Sequence, residues 1–213
     1  MGFIYTDFNE FIKEAYKINK YKTIINVDIQ KEYEEHFTFD ISDWSLYINE
    51  SYYNNNAIIF MFNGSETTPD TKDVSDYKLW LKSIGISDDV LSDATFYDKG
   101  YDYFRYCIDE NIDEDKIVEL VRFMFENNIK DTVNFTNKQW NNFETLTKYN
   151  KNELRELLEN SDNFMLIPEM MVFLKDMKNI ILLGGSEIEC LKEVEIALKA
   201  LHIPFKKEKE FIF

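Results

Sequence analysis

The sequence predicts an α/β domain with a mainly parallel sheet and helices on both faces. Three observations predict it. Short apolar, β-branched runs recur along the chain: "KTIINVD" (22–28), "AIIFMF" (57–62), "ATFYDK" (94–99) and "NIILLGG" (179–185). Stretches with apolar residues every three or four positions lie between them, as in a helix buried along one side. Strands that alternate with helices form β-α-β units, whose strands run parallel.

Each element follows from local chemistry. "KTIINVD" reads as a buried strand closed by an acid, and "AIIFMF" as a second buried strand. "FNGSETTPDTKD" is a polar loop with Gly and Pro, and "DYKLWLKSI" is helical. "ATFYDK" is a weaker strand. In 113–127, Ile117, Leu120, Val121, Met124 and Phe125 mark one helix face. "TNKQWNNFETL", "KNELRELLEN" and "PEMMVFLKDM" read as helix and loop. After "NIILLGG", the strongest strand, Leu191, Val194, Leu198 and Leu201 mark another helix face. "KEKEFIF" reads as a closing strand whose lysines guard a sheet edge. "YYNNNA" is a loop. With no Gly/Ser linker, repeat or low-complexity block, residues 1–213 read as one domain.

Composition limits function. The net charge of −16 repels phosphate, which argues against a nucleic-acid binder. No apolar run approaches the ~18 residues of a membrane span. "MGFIYTDFNEFIKEAYK" lacks the apolar core of a secretory signal. Two cysteines, Cys107 and Cys190, are too few for a disulfide framework, so a reducing, cytoplasmic setting is expected. The only histidines, His36 and His202, lack metal-ligand spacing. No metal and no cofactor are expected.

In a parallel α/β sheet, ligands sit beyond the carboxyl ends of the strands. Asp28, Lys99 and the Gly184-Gly185 pair all close strand-like runs. A helix opening near Cys190 would aim free N–H groups at that crevice and favour a thiolate. Glu187 and Glu189 oppose this unless they point away. A carboxylate, a lysine and a cysteine from three strand ends fit an activated thiol nucleophile. The alternative is structural: Asp28 capping a turn, Lys99 on the surface and Cys190 as a small buried residue. Arg105 could meet an anionic substrate group or form a surface ion pair. Tyr33 and Phe37 could wall a pocket or pack the core. Trp44, Trp80 and Trp140 read as core, and Cys107 as structural.

Three segments carry a family resemblance. "TIINVDIQKEY" resembles the D-x-Q-x-x-F opening of the isochorismatase-like cysteine hydrolases, the superfamily that includes nicotinamidase, with Asp28, Gln30 and Tyr33 at its marked positions. "FYDKGYDYF" resembles that family's lysine region, with Lys99 as the lysine. "GGSEIEC" is similar to its G-x-A-T-x-x-C, from Gly184 to Cys190.

The resemblance implies a three-layer sandwich and a hydrolase acting on a C–N bond in a small amide-like metabolite. Cys190 would attack, Asp28 would carry the proton and Lys99 would balance charge. Backbone N–H groups of Ser186 and Cys190 would hold the oxyanion, with a cis peptide at Gly185–Ser186. Gln30, Tyr33, Phe37 and Arg105 would line the substrate pocket. The sequence departs from the family in three ways. "FNGSETTPD" lacks the histidines of zinc-dependent members, Glu187 stands where Thr is usual, and residues 107–178 form an atypical helical insertion. The expected partner is a small-molecule substrate, with no nucleic acid and no membrane, and a homo-oligomer is left open. The rival function is a non-catalytic acidic protein that keeps the fold and grips a protein partner.

Overall fold

The computed structural model describes residues 22–64, 70–99, 114–129, 136–147 and 168–213, together with Asn150 and Asn152. Its strands are β1 (Thr23–Val27), β2 (Ala57–Phe62), β3 (Thr95–Asp98), β4 (Ile180–Gly184) and β5 (Phe205–Lys207). They form one sheet, ordered β3-β2-β1-β4-β5, in which every pairing is parallel. Its α-helices are α1 (Ile41–Tyr53), α2 (Val74–Ser83), α3 (Asp88–Asp93), α4 (Glu114–Glu126), α5 (Asn137–Leu146), α6 (Pro168–Leu174) and α7 (Cys190–Ala200).

Successive strand residues face opposite sides of a sheet. Ile25, Val27, Ile59, Met61, Ile180 and Leu182 therefore join one core, with residues of α4, α5, α6 and α7. Ile24, Ile58, Phe60, Phe62, Phe96 and Leu183 join the other, with Trp44 and Ile48 of α1, Tyr77 and Leu81 of α2, and Val90 of α3. Both faces of the sheet are covered, so the predicted α/β class with helices on both sides is the fold. The chain moves outward from β1 through β2 to β3, then crosses back to β4 and β5 on the other side. Right-handed crossovers place helices on opposite faces when the direction of travel reverses. The reversal leaves a switch point between β1 and β4, where parallel α/β sheets open a crevice.

Side-chain caps start the helices. Asp40 accepts from Ser42 N at 2.8 Å to open α1, and Asp73 accepts from Ser75 N at 2.6 Å to open α2. Thr136 and Gln139 form a reciprocal capping box on α5. In α4, Ile117, Leu120, Val121 and Met124 are buried as the periodicity predicts, while Phe125 is only partly so. The described helices of 107–178 are thus core: α4 lies along α7, where Arg122 Nε donates to the Ala200 carbonyl at 3.0 Å.

Two readings need correction. The closing strand is Phe205–Lys207, not "KEKEFIF". After Glu208 N donates to the Leu182 carbonyl at 2.8 Å, a 3-10 turn (Lys209–Phe211) leaves the sheet. Burial of Phe211, packed edge-on to Phe39, outweighs continued strand pairing. Helices α1 and α3 had not been assigned from the sequence. In α1 the buried positions include Ser45 and Ser51, which break the apolar stripe; α3 has only six residues, too few to show a period.

Gly184 ends β4 opposite Val27, with φ +79°. A Cβ there would lie 2.4 Å from the Val27 carbonyl oxygen and 2.7 Å from Ile29 Cγ1. Backbone cannot yield cheaply, and a positive φ adds strain for any other residue. Gly184→Ala should therefore destabilise the fold by roughly 3 kcal/mol or more. Urea unfolding followed by circular dichroism checks this; an unchanged midpoint would show that the β1–β4 approach is looser than described here.

Candidate active site

The end of β1 delivers Asp28, the end of β3 delivers Lys99, and the loop after β4 leads to Cys190 at the first turn of α7. Parallel register puts these ends level. Asp28 N donates to the Met61 carbonyl at 2.9 Å, and Lys99 N donates to the Phe62 carbonyl at 2.8 Å. The Lys99 side chain reaches across the end of β2 to meet Asp28 at this edge of the sheet. Asp28 is 1% exposed and Lys99 5%. Lys99 Nζ lies 2.8 Å from Asp28 Oδ2. The separation suits a charge-assisted hydrogen bond, but neither carboxylate oxygen has a partner of good hydrogen-bond geometry, so the contact is an ion pair. Asp28 adopts φ +48°. That region is uncommon outside glycine, and backbone strain of this kind clusters at functional sites.

Cys190 is a half-buried free thiol within direct electrostatic reach of Asp28 and Lys99. Burial pushes its pKa up, the Asp28 charge pushes the same way, and Lys99 opposes both. The resting thiol is therefore protonated at neutral pH, and of the two possibilities the sequence leaves open, a thiolate favoured by the helix N-terminus or a thiol that needs a base, the structure favours the second. Burial works against the Lys99 ammonium too, but the charges of Asp28 and then Glu193 raise its pKa well above the ordinary lysine value. Tyr33 reaches the same place; burial, then the Asp28 charge, push its phenol up to about 12. Asn63 Nδ2 donates to the Tyr33 hydroxyl at 3.4 Å.

Glu187 and Glu189 point away and are exposed. Glu187 lies 2.7 Å from Lys207 instead. The acid that enters the site is Glu193, 3.7 Å from Lys99 and 13% exposed. The sequence reading passed over it, although it stands one helical turn beyond Cys190, on the same face.

Gln30 is fully buried and spends its amide on the scaffold. Its Nε2 donates to the Asn63 carbonyl at 3.0 Å and to Thr71 Oγ1 at 2.6 Å, while its Oε1 accepts from Asn63 N at 2.7 Å. It ties the end of β1 to the end of β2. Phe37 stacks on Phe39 at 5.2 Å and tilts against Phe213, which puts it in the core around α1. Arg105 and Cys107 lie outside the described residues.

The loop from Gly184 to Glu189 is shaped by two positive φ values, +79° at Gly184 and +64° at Gly185. All peptide bonds among the described residues are trans, so the expected cis bond at Gly185–Ser186 is replaced by glycine geometry. The loop is also pinned to the last residues of the chain: Phe213 N donates to the Gly185 carbonyl at 3.2 Å, and Glu187 N to the Phe213 carbonyl at 3.1 Å. The N–H groups of Ser186 and Cys190 have no hydrogen-bond acceptor among the described residues. An orphan N–H at the start of α7 follows from helix geometry. Among the described residues, no group of three His, Cys, Asp or Glu is placed to hold a metal, and no helix is long and apolar enough to cross a membrane.

No protein family, curated protein or solved structure matches the chain significantly.

A raised thiol pKa has a consequence for stability. An unfolded cysteine ionises near pH 9.0, while folded Cys190 keeps its proton to higher pH. The folded state then binds more protons, so stability is full below about pH 9 and falls as pH rises through the folded pKa. Cys190→Ala should lose that component of the alkaline decline. Thermal melts of both proteins between pH 7 and 10.5 should converge as pH rises; a constant gap would show that Cys190 has its ordinary pKa.

Proposed function

We propose that this chain is a thiol-dependent hydrolase of a C–N bond in a small amide-like molecule, of the isochorismatase-like type. The observation that carries the reading is the meeting of Asp28, Lys99 and Cys190 from three separate chain segments in one buried crevice. The likeness of the three sequence segments to that superfamily supports it. The α/β fold is compatible with it.

The chemistry follows from the electrostatics. Because the resting thiol is protonated, attack needs a base, and Asp28 is the carboxylate that bears on it most strongly. As Cys190 Sγ bonds to the carbonyl carbon, its proton passes to Asp28. The oxygen gains negative charge and takes hydrogen bonds from the N–H groups of Ser186 and Cys190. Collapse breaks the C–N bond, and Asp28 returns the proton to the departing amine. Water then attacks the thioester, giving its proton to Asp28, and the thiol is restored as the acid leaves. Lys99 keeps the carboxylate and the developing thiolate tolerable side by side. An apo site with long or poorly aligned catalytic contacts is common in such enzymes.

Cys190→Ala should abolish hydrolysis in a screen of small primary amides and related C–N substrates, and Asp28→Asn should come close to it. Groups that act as a unit give non-additive losses, so the double mutant should be no worse than Cys190→Ala alone. Where no substrate is in hand, the alkylation rate of Cys190 against pH serves, read by peptide mass spectrometry so that Cys107 is scored separately. Asp28→Asn should shift that profile. An unshifted profile with intact circular dichroism would sink the hydrolase reading and favour a binding protein with this fold.

A further inference from the structure

The crevice holds one charged group that the hydrolase scheme does not use. Glu193 Oε2 lies 3.7 Å from Lys99 Nζ, whose other carboxylate neighbour, Asp28, is 2.8 Å away. Glu193 sits on α7 three residues after Cys190, so the nucleophile and this carboxylate share one rigid helix turn. Asp28 and Lys99 come from strand ends. Glu193 is thus the point at which the helix bearing the nucleophile grips the lysine borne by the sheet.

Resting on the hydrolase reading, we infer that Glu193 is a positioning residue: it holds the Lys99 ammonium jointly with Asp28 and so sets how much positive charge reaches the Cys190 sulfur. An acid in the first turn of a helix also stabilises the helix dipole, and that role alone would affect stability without involving Lys99. Among the described residues, the titratable groups facing Cys190 are Asp28 after β1, Lys99 after β3, Tyr33 in the 3-10 turn Lys31–His36 and Glu193 on its own helix. Of these, Lys99 is the cation, and Glu193 bears on the thiol both directly and through it.

Both routes have the same sign. Loss of the Glu193 charge removes an anion near the sulfur and leaves Lys99 offset by Asp28 alone, so the thiol ionises more easily. The two routes separate in a double-mutant cycle. The probe is iodoacetamide, with alkylation of Cys190 followed against pH by peptide mass spectrometry in wild type, Glu193→Gln, Glu193→Asp, Lys99→Gln and the Lys99→Gln/Glu193→Gln pair. Lys99→Gln retains a long polar side chain, and circular dichroism certifies each fold. If Lys99→Gln does not fold, Lys99→Met, which also removes the charge and keeps the length of the side chain, takes its place in the cycle.

Glu193→Gln should move the profile about one pH unit lower, roughly tenfold in rate below the midpoint. Glu193→Asp, which keeps the charge, should lie between. In the Lys99 variant the Glu193→Gln shift should be less than half as large. An unshifted Glu193→Gln profile, or an equal shift in both backgrounds, overturns the inference while leaving the hydrolase reading intact, provided that Asp28→Asn still shifts the profile. If Asp28→Asn and Lys99→Gln also leave the profile unmoved, the hydrolase reading fails and this inference fails with it.

Discussion

The approach of β4 to β1 at Gly184 governs the position of everything in the crevice. Only a residue without a side chain lets the β4 backbone lie against the Val27 carbonyl and Ile29 at this point. From that contact the chain turns through a second left-handed glycine, Gly185, whose ideal Cβ would meet Leu191 N at 3.0 Å. The start of α7 is therefore packed directly onto the loop, with no slack between sheet and helix. The thiol's place relative to Asp28 is a consequence of backbone sterics, and the side chains around it adjust to that frame.

Within that frame the charges are costly and mutually dependent. Taking an aspartate and a lysine out of water costs several kcal/mol per ion, which a single contact repays only with good geometry. The Asp28–Lys99 pair lacks ideal hydrogen-bond geometry and Asp28 carries a positive φ. A hydrophobic pair of equal volume would make a more stable core. Such a pair, held at the strand ends beside a half-buried thiol, is the kind of cluster that the proposed chemistry would use. Glu195, a buried carboxylate on the far side of α7, differs in having three lysines around it, Lys192, Lys199 and Lys207. That cluster joins α7 to β5, and through Glu114 to α4, and it has the character of a structural clasp.

Much of this was legible in the sequence because strand ends and helix starts leave local marks. "NIILLGG" announces a buried strand and its turn, and "TIINVD" places an acid at a strand end, so Asp28, Lys99 and Cys190 could be assigned to one edge of the sheet. What stayed hidden was the direction of side chains. Gln30 looked like a pocket residue because of its place after Asp28, but its amide is consumed by Asn63 and Thr71, which a loop brings in from 33 and 41 positions away. Glu187 and Glu189 looked like neighbours of the thiol because they are close in sequence, while Glu193, further along but on the correct helix face, is the true neighbour. The thiol's ionisation stayed open for a related reason: helix position is local and visible, whereas burial depends on the whole fold. Helix α1 escaped because serines occupy part of its buried face.

The order of the strands also bears on how the crevice comes into being during synthesis. β1 sits at the centre of the sheet, flanked by β2 and by β4, and Thr23 bonds across 155 positions to the Lys178 carbonyl next to β4. A ribosome releases the N-terminal half first. For a time the nascent chain can form β1, β2 and β3 with one side of β1 open, already carrying Asp28 and Lys99 but no cysteine partner. Such an open parallel edge is slow to complete and sticky while it waits. Addition of β4 covers the open side of β1, and the helix that follows brings in the sulfur. The cluster of Asp28, Lys99 and Cys190 is therefore complete only once β4 and the helix after it are in place.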